Sequence, residues 1–201
     1  MTKRNYVSPV RASAAAETRE RIIAAGAKLL RKEASIANFS LDVVAKAAGV
    51  TRLTVYNQFG SRRGLLEAVF DDIAREGGLF ELADVLAMAD PRAALDRVVA
   101  IFCTFWSHDP AIGGLNQAIA TDPEFGDTLV ERNERRRELL TALVSRIAEK
   151  PSARRAVRDA VDLIFVLTSY PTFAALSPQR PTEEVCRLLQ TACHAALDRL
   201  N

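Results

Sequence analysis

Cysteine is scarce in this chain: three in 201 residues, at positions 103, 186 and 193, with no CxxC pair. That odd, dispersed set excludes a disulfide scaffold and fits buried thiols in a reducing cytoplasm. Histidine is scarcer, at His108 and His194 only, so no metal centre and no cofactor are expected. GxSxG, P-loop, GxGxxG and HExxH strings are absent, which sets an enzyme far down the order of readings. His108-Asp109, before Pro110, reads as a helix boundary rather than acid–base machinery. The longest apolar stretches, such as Leu163-Ile164-Phe165-Val166-Leu167, fall far short of the ~20 residues of a membrane span. No apolar run follows Lys3 and Arg4, so no signal peptide is expected. Runs of alternating apolar and polar residues bounded by turns are missing as well, which excludes a sheet. No internal repeat occurs, and no low-complexity tract beyond Ala14-Ala15-Ala16.

What is present is an ordinary globular balance: 49% hydrophobic and 26% charged residues, with a mean hydropathy of +0.01. The length suits one domain or two small ones and is enough to bury a core. The net charge of +2 hides an asymmetry. Residues 1–63 hold 12 Lys+Arg against 4 Asp+Glu, a net of +8, and residues 64–201 hold 15 against 21, a net of −6. A basic segment on an acidic body points to a polyanion partner for the first segment, or simply to a solvated basic surface.

The remaining pattern is helical throughout. Residues 1–14 read as a flexible basic arm, whose Lys3, Arg4 and Arg11 either reach a minor groove or form a loose tail. A helix begins near Ser13, with Ile22, Ile23, Gly26, Leu29 and Leu30 at helical spacing, and the stretch Ala34–Asn38 breaks it. Ser40 suits an N-cap for a short helix with Leu41, Val44, Ala45 and Ala48 on one face. Gly49 supplies the turn, and Thr51 caps the next helix, which Gly60 stops. Ser61 caps a fourth helix through Leu65, Leu66, Val69, Phe70 and Ile73 to Gly77-Gly78. Further helices are predicted at about 79–87, 91–107, 110–120, 123–149, 152–170 and 182–200, several opened by an Asp-Pro pair.

Residues 40–59, SLDVVAKAAGVTRLTVYNQF, are two short helices around a tight glycine turn, which is the helix-turn-helix plan. The second carries Val55 and Phe59 inward. Outward it presents Arg52, Thr54, Tyr56, Asn57 and Gln58, donors and acceptors suited to phosphates and base edges.

These residues, with Ile22, Ala25 and Leu29 before them and Gly60-Ser61-Arg62 and Leu65-Leu66 after, resemble the DNA-binding domain of the TetR family of bacterial transcriptional repressors. The resemblance covers residues 17–70. It implies phosphate contacts from Ser40 and Arg62, a Tyr56 packed along the DNA backbone, and Thr51, Arg52, Thr54, Asn57 and Gln58 at the groove. Leu53 stands where the family usually has a small residue or proline; it either touches a thymine methyl or packs at the groove wall. Arg63 and Gly64 occupy a place often acidic in the family, which adds positive charge near phosphate.

The resemblance divides the chain into the arm, a DNA-binding domain at 15–60 and a helical ligand-binding and dimerisation domain at 61–201, with 61–76 as a linking helix and lever. It implies a homodimer built on the last two long helices, through Val161, Ile164, Thr168, Val185, Leu189, Ala192 and Ala196. Leu163, Val166 and Tyr170 form a second apolar face. It also implies an effector cavity, for which Phe102, Phe105, Trp106, Leu115, Phe125, Phe165, Thr168 and Phe173 are candidates, each of them equally a plain core residue. Leu86 and Met88 join that set, and Asn116, Gln117 and His108 are polar candidates. Cys186, Cys193 and His194 on one helix suggest either a sensor or ordinary packing, and packing is preferred. Arg135-Arg136-Arg137, among Glu131, Glu134 and Glu138, reads as a solvated helix face.

The expected protein is therefore an all-α, ligand-responsive homodimeric repressor, cytoplasmic and without membrane contact. A small apolar or aromatic molecule would release it from a pseudo-palindromic double-stranded operator. The competing readings are a DNA-silent or architectural interaction module of the same fold and, far below, an enzyme. The effector, the operator, the regulated genes and the sign of regulation are left open.

Overall fold

The computed structural model describes residues 9–32, 38–121, 123–148 and 154–198. The N-terminal helices are α1 (Pro9–Lys32), α2 (Leu41–Ala48), α3 (Arg52–Phe59) and α4 (Arg62–Glu76). A 3-10 turn (Leu79–Glu81) leads into α5 (Leu82–Val85), α6 (Pro91–His108), α7 (Ala111–Thr121) and α8 (Pro123–Ile147). Then come α9 (Arg154–Leu167), α10 (Tyr170–Leu176), a second 3-10 turn (Ser177–Gln179) and α11 (Thr182–Leu197). No strand occurs among the described residues, and no single helix there is long and apolar enough to cross a membrane.

Several boundaries differ from the sequence reading, among them the helix expected over 79–87, which is a 3-10 turn followed by the short α5. Helix α1 starts at Pro9 rather than near Ser13, because proline tolerates a first turn whose N–H groups have no helical partner. Lys3 and Arg4 of the expected arm lie outside the described residues. The helix predicted over 152–170 ends at Leu167, and a separate α10 follows. The break falls at Ser169, whose backbone is extended (φ −82°, ψ 155°); Pro171 has no N–H for the Leu167 carbonyl, and the Thr172 hydroxyl donates to the Val166 carbonyl at 2.7 Å.

Helices α1 to α4 close the first part of the core. Ile22, Leu30, Phe39, Val44, Val55, Leu65, Leu66 and Val69 are all buried. Gly26 lets α1 approach α4: a Cβ there would stand 2.8 Å from Val69 Cγ2. Gly49, at φ 66°, makes the left-handed turn between α2 and α3. Helix α4 serves both parts of the chain. Leu65, Leu66 and Val69 belong to the first core, while Phe70 meets Phe105 of α6 edge-on at 6.1 Å. In the second part α6 packs against α8 and α11, and α9 lies between α8 and α11.

Candidate nucleic-acid interface and ligand cavity

The caps of α2, α3 and α4 set the geometry of the first surface. Ser40 Oγ accepts from Val43 N at 3.2 Å, Thr51 Oγ1 from Thr54 N at 3.1 Å, and Ser61 Oγ from Gly64 N at 3.0 Å. A hydroxyl that caps by accepting still has its O–H to donate. The Ser40 O–H is therefore available for an anion at the start of α2. On α3 the buried Val55 fixes the rotation. Arg52, Leu53, Tyr56 and Asn57 face outward, with Leu53 at 66% exposure and Tyr56 at 55%. Arg52 lies 3.3 Å from Asp42 of α2. Thr54 is half-buried, its hydroxyl 2.9 Å from that of Thr51.

Gln58 does not share that outward face. It lies in the α1–α3 seam, where its Nε2 donates to the Ala15 carbonyl at 3.5 Å and its own carbonyl accepts from Arg19 at 2.9 Å. Arg19 also lies over the Phe59 ring at 4.4 Å. Arg62 is half-buried at the start of α4 and donates from Nε to the Phe39 carbonyl at 2.6 Å, tying α4 to the segment before α2. Arg63, expected to add positive charge near phosphate, pairs with Glu67 at 2.8 Å. Thr128 of α8 donates to the same Glu67 carboxylate at 2.7 Å. The Arg63 hydrogen bond outweighs partial burial and holds the Glu67 carboxyl below its ordinary range.

The second site is a cavity of about 650 Å³ between α4, α6, α7, α8 and the start of α10. Of the residues expected there, Phe102, Phe105, Trp106, Leu115 and Phe165 line it, and so does Asn116. Phe125 and Phe173 are buried elsewhere in the core, and Thr168 is buried behind the wall. The Thr168 carbonyl accepts from Trp106 Nε1 at 3.0 Å. Leu86, Met88, Gln117 and His108 do not line the cavity. Phe70, Arg132, Arg136 and Tyr170 line it and were not foreseen. Tyr170 crosses Trp106 edge-on at 5.6 Å, and Trp106 stacks on Phe102 at 5.7 Å.

The arginine run is not the solvated face that its neighbouring glutamates suggest. Arg136 is buried at 8% exposure. Arg137 pairs with Asp162 and lies over the Phe165 ring at 4.2 Å. Arg132 pairs with Asp71 at 2.6 Å and lies over Phe70 at 4.4 Å. The register of α8 could have revealed this. Arg136 sits seven residues after buried Leu129 and four before buried Leu140, on the apolar stripe.

Residues 22–69 match the family of bacterial regulatory proteins known as tetR. The chain is 28% identical to the HTH-type transcriptional regulator EthR of Mycolicibacterium smegmatis, over 92% of this chain and 87% of that protein. It is 23% identical to EthR of Mycobacterium tuberculosis, over 89% of this chain and 85% of that protein. A transcriptional regulator from Rhodococcus sp. Rha1 has the same fold, with a TM-score of 0.68 at 19% identity over 90% of this chain and 96% of that one. Its N-terminal DNA-binding domain is of the TetR family. The chain is a DNA-binding transcriptional regulator, and the family is not one of enzymes. Regulators of this family bind DNA and act as dimers with small-molecule effectors.

In this regulator the cavity and the DNA-binding helices share structural members. Phe70 of α4 is part of the cavity wall, and Asp71, next to it, holds cavity residue Arg132. At the other end Arg31 of α1 grips Asp109 with a fork, Nε to Oδ1 at 3.0 Å and Nη2 to Oδ2 at 2.5 Å. Asp109 also accepts from Ala111 N at 2.9 Å and so caps α7, which carries Ile112, Leu115 and Asn116 into the cavity wall.

The residues expected at the dimer interface lie mostly inside the protomer. Val161, Ile164, Thr168, Val185, Leu189 and Ala196 are buried in the protomer's own core, and Ala192 is half-buried. A side chain already covered has no surface to give a second chain. The apolar side chains exposed on these two helices are Leu163 and Val166 of α9 and Leu188 of α11. Cys186 and Cys193 do not form a sensor with His194 either. Burial pushes the Cys103 and Cys193 thiols up to about 12, which keeps them protonated and unreactive. His194 instead meets Asp96 of α6 at 2.8 Å, and no metal-binding group of His, Cys, Asp and Glu occurs among the described residues.

Proposed function

We propose that this protein is a cytoplasmic, homodimeric repressor that leaves a pseudo-palindromic operator when a small, largely apolar or aromatic molecule fills the cavity. One observation carries the reading: α4, which Arg62 ties to the segment before α2, is at the same time a wall of the cavity through Phe70. A ligand that displaces Phe70 or Arg132 moves the base on which α2 and α3 stand. The switch is limited by the ligand's differential affinity for the two arrangements.

On the DNA side, Arg52, Leu53, Tyr56 and Asn57 reach into the groove. Ser40, Thr51 and Arg62 serve the phosphates, with Thr54 behind them. Gln58 acts by holding α3 against α1. In the dimer, Leu163, Val166 and Leu188 meet their two-fold copies, and the isologous contact presents two α3 helices to successive major grooves.

Selection of bound sequences from a random duplex pool tests this, at moderate salt to suppress purely phosphate-driven binding. The expected result is an enriched pseudo-palindrome. Recovery of unenriched sequences by folded, dimeric protein would overturn the reading in favour of a DNA-silent module.

A further inference from the structure

Arg136 is a buried cation with no counter-charge among the described residues. Its Nη1 donates to the Thr168 carbonyl at 2.9 Å, and its guanidinium lies 4.1 Å from the Phe165 ring centre and 5.3 Å from that of Phe102. Its Nε is buried with no hydrogen-bond partner. Among the described residues no aspartate or glutamate lines the cavity. Of the carboxylates that α8 arginines meet, Asp71 is engaged by Arg132 and Asp162 by Arg137. Burial, with Arg137 adjacent, lowers the Arg136 pKa to about 10, so the group is still charged at neutral pH. Aromatic faces recover only part of the hydration that such a cation gives up. Nε–H lies on the edge of a guanidinium that a carboxylate engages side-on, with two parallel hydrogen bonds. Among the described residues the rest of the wall is apolar apart from Asn116, Asn133, Ser169, the Tyr170 hydroxyl and two further arginines, Arg135 and the Asp71-paired Arg132. That wall suits a negative charge on a hydrophobic body.

We propose that the cavity takes a monocarboxylic acid with an aromatic or branched aliphatic body, its carboxylate held by the Arg136 guanidinium and its body packed on Phe102, Trp106 and Leu115. The inference rests on the ligand-responsive reading of the cavity and names its ligand class.

The test pairs each acid with its neutral isostere: 4-phenylbutyrate with 4-phenylbutyramide, and 4-methyloctanoate with its primary amide. The chain has one tryptophan, Trp106, which lies in the cavity wall, so its fluorescence reads occupancy directly. With the wild-type dimer at pH 7, at least one acid is expected to bind about tenfold or more tighter than its amide. Arg136→Met is expected to abolish that preference while leaving amide binding in place, and Arg136→Lys to restore part of it. Equal or weaker binding of the acids by wild-type protein overturns the inference, whatever the variants do. A purely structural Arg136 predicts that result.

Operator release, followed separately by fluorescence anisotropy of labelled duplex, keeps the two claims apart. Amides that bind and release DNA while acids do not would sink the inference and leave the ligand-responsive reading standing. Acids that bind without releasing DNA would do the reverse. Failure of all four compounds to bind overturns both.

Discussion

Tyr56 isolates DNA contact from folding better than any other residue of the recognition surface. Its ring is 55% exposed on α3, so little packing depends on it. Tyr56→Ala is expected to leave the melting temperature nearly unchanged and to weaken operator binding by about tenfold, roughly 1.4 kcal/mol, in an anisotropy titration. Arg62 is a poorer probe, because its Nε also holds the Phe39 carbonyl and its loss mixes stability with affinity. Gly49 answers a different question. At φ 66° any Cβ is strained, although nothing stands within 4 Å of one. Gly49→Ala is therefore expected to cost about 1 kcal/mol through backbone strain alone, lowering Tm by roughly 2–4 °C. Arg136 shows how a residue can be misread from its neighbours. Glu131, Glu134 and Glu138 suggest a wet face, whereas the spacing from Leu129 to Leu140 places Arg136 inward, and position on the helix outweighs local charge.

At the scale of elements, α7 depends on a single carboxylate. Asp109 caps it and binds Arg31, with side-chain exposures of 3% and 43%. Burial opposes ionisation of Asp109, but the Arg31 fork and the Ala111 N–H outweigh it, and the carboxyl is held below its ordinary 3.8. A depressed carboxyl pKa contributes stability in full above the unfolded value and loses it as pH falls through the folded value. Asp109→Asn is expected to lower stability by roughly 1–2 kcal/mol at pH 7, discounted for the exposed side of Arg31. The gap from wild type should narrow below pH about 4, and urea unfolding at pH 7 and pH 3 checks both points. The same variant loosens α1 from α7, so it should also alter how far ligand binding shifts operator affinity.

Helix lengths and caps were readable from Ser40, Thr51, Ser61 and the Asp-Pro pairs, since capping is local chemistry. The end of α9 was not. Leu167 and Tyr170 continue the apolar spacing, and Pro171 marks only that a helix ends before it; that the end falls at Leu167 depends on the extended backbone of Ser169.

At the scale of the whole molecule, two protomers are needed to present two α3 helices. Leu188 is 43% exposed on α11 and is not required by the protomer's own core. Leu188→Glu is expected to weaken dimerisation by about 2 kcal/mol, roughly thirtyfold, with the fold intact. Sedimentation reads the dimer, and operator affinity should fall with it. Wild-type affinity should drop steeply with salt, since each phosphate contact releases counterions.

What the amino-acid order determined alone is whatever short-range chemistry controls: the all-helical class, the glycine turn of the helix-turn-helix, the outward Arg52, Tyr56 and Asn57 of α3 and the basic first segment. Tertiary structure decided which apolar residues are core and which are surface. Periodicity marks a face as apolar without saying what covers it, and so Val161, Ile164 and Leu189 went inside while Leu163, Val166 and Leu188 stayed out. Tertiary structure also decided that Phe125 and Phe173 fill space while Phe102 and Phe165 border it. It set Arg136 against those two rings, because only the packing of α8 on α6 and α9 removes its water and leaves its charge without an opposite.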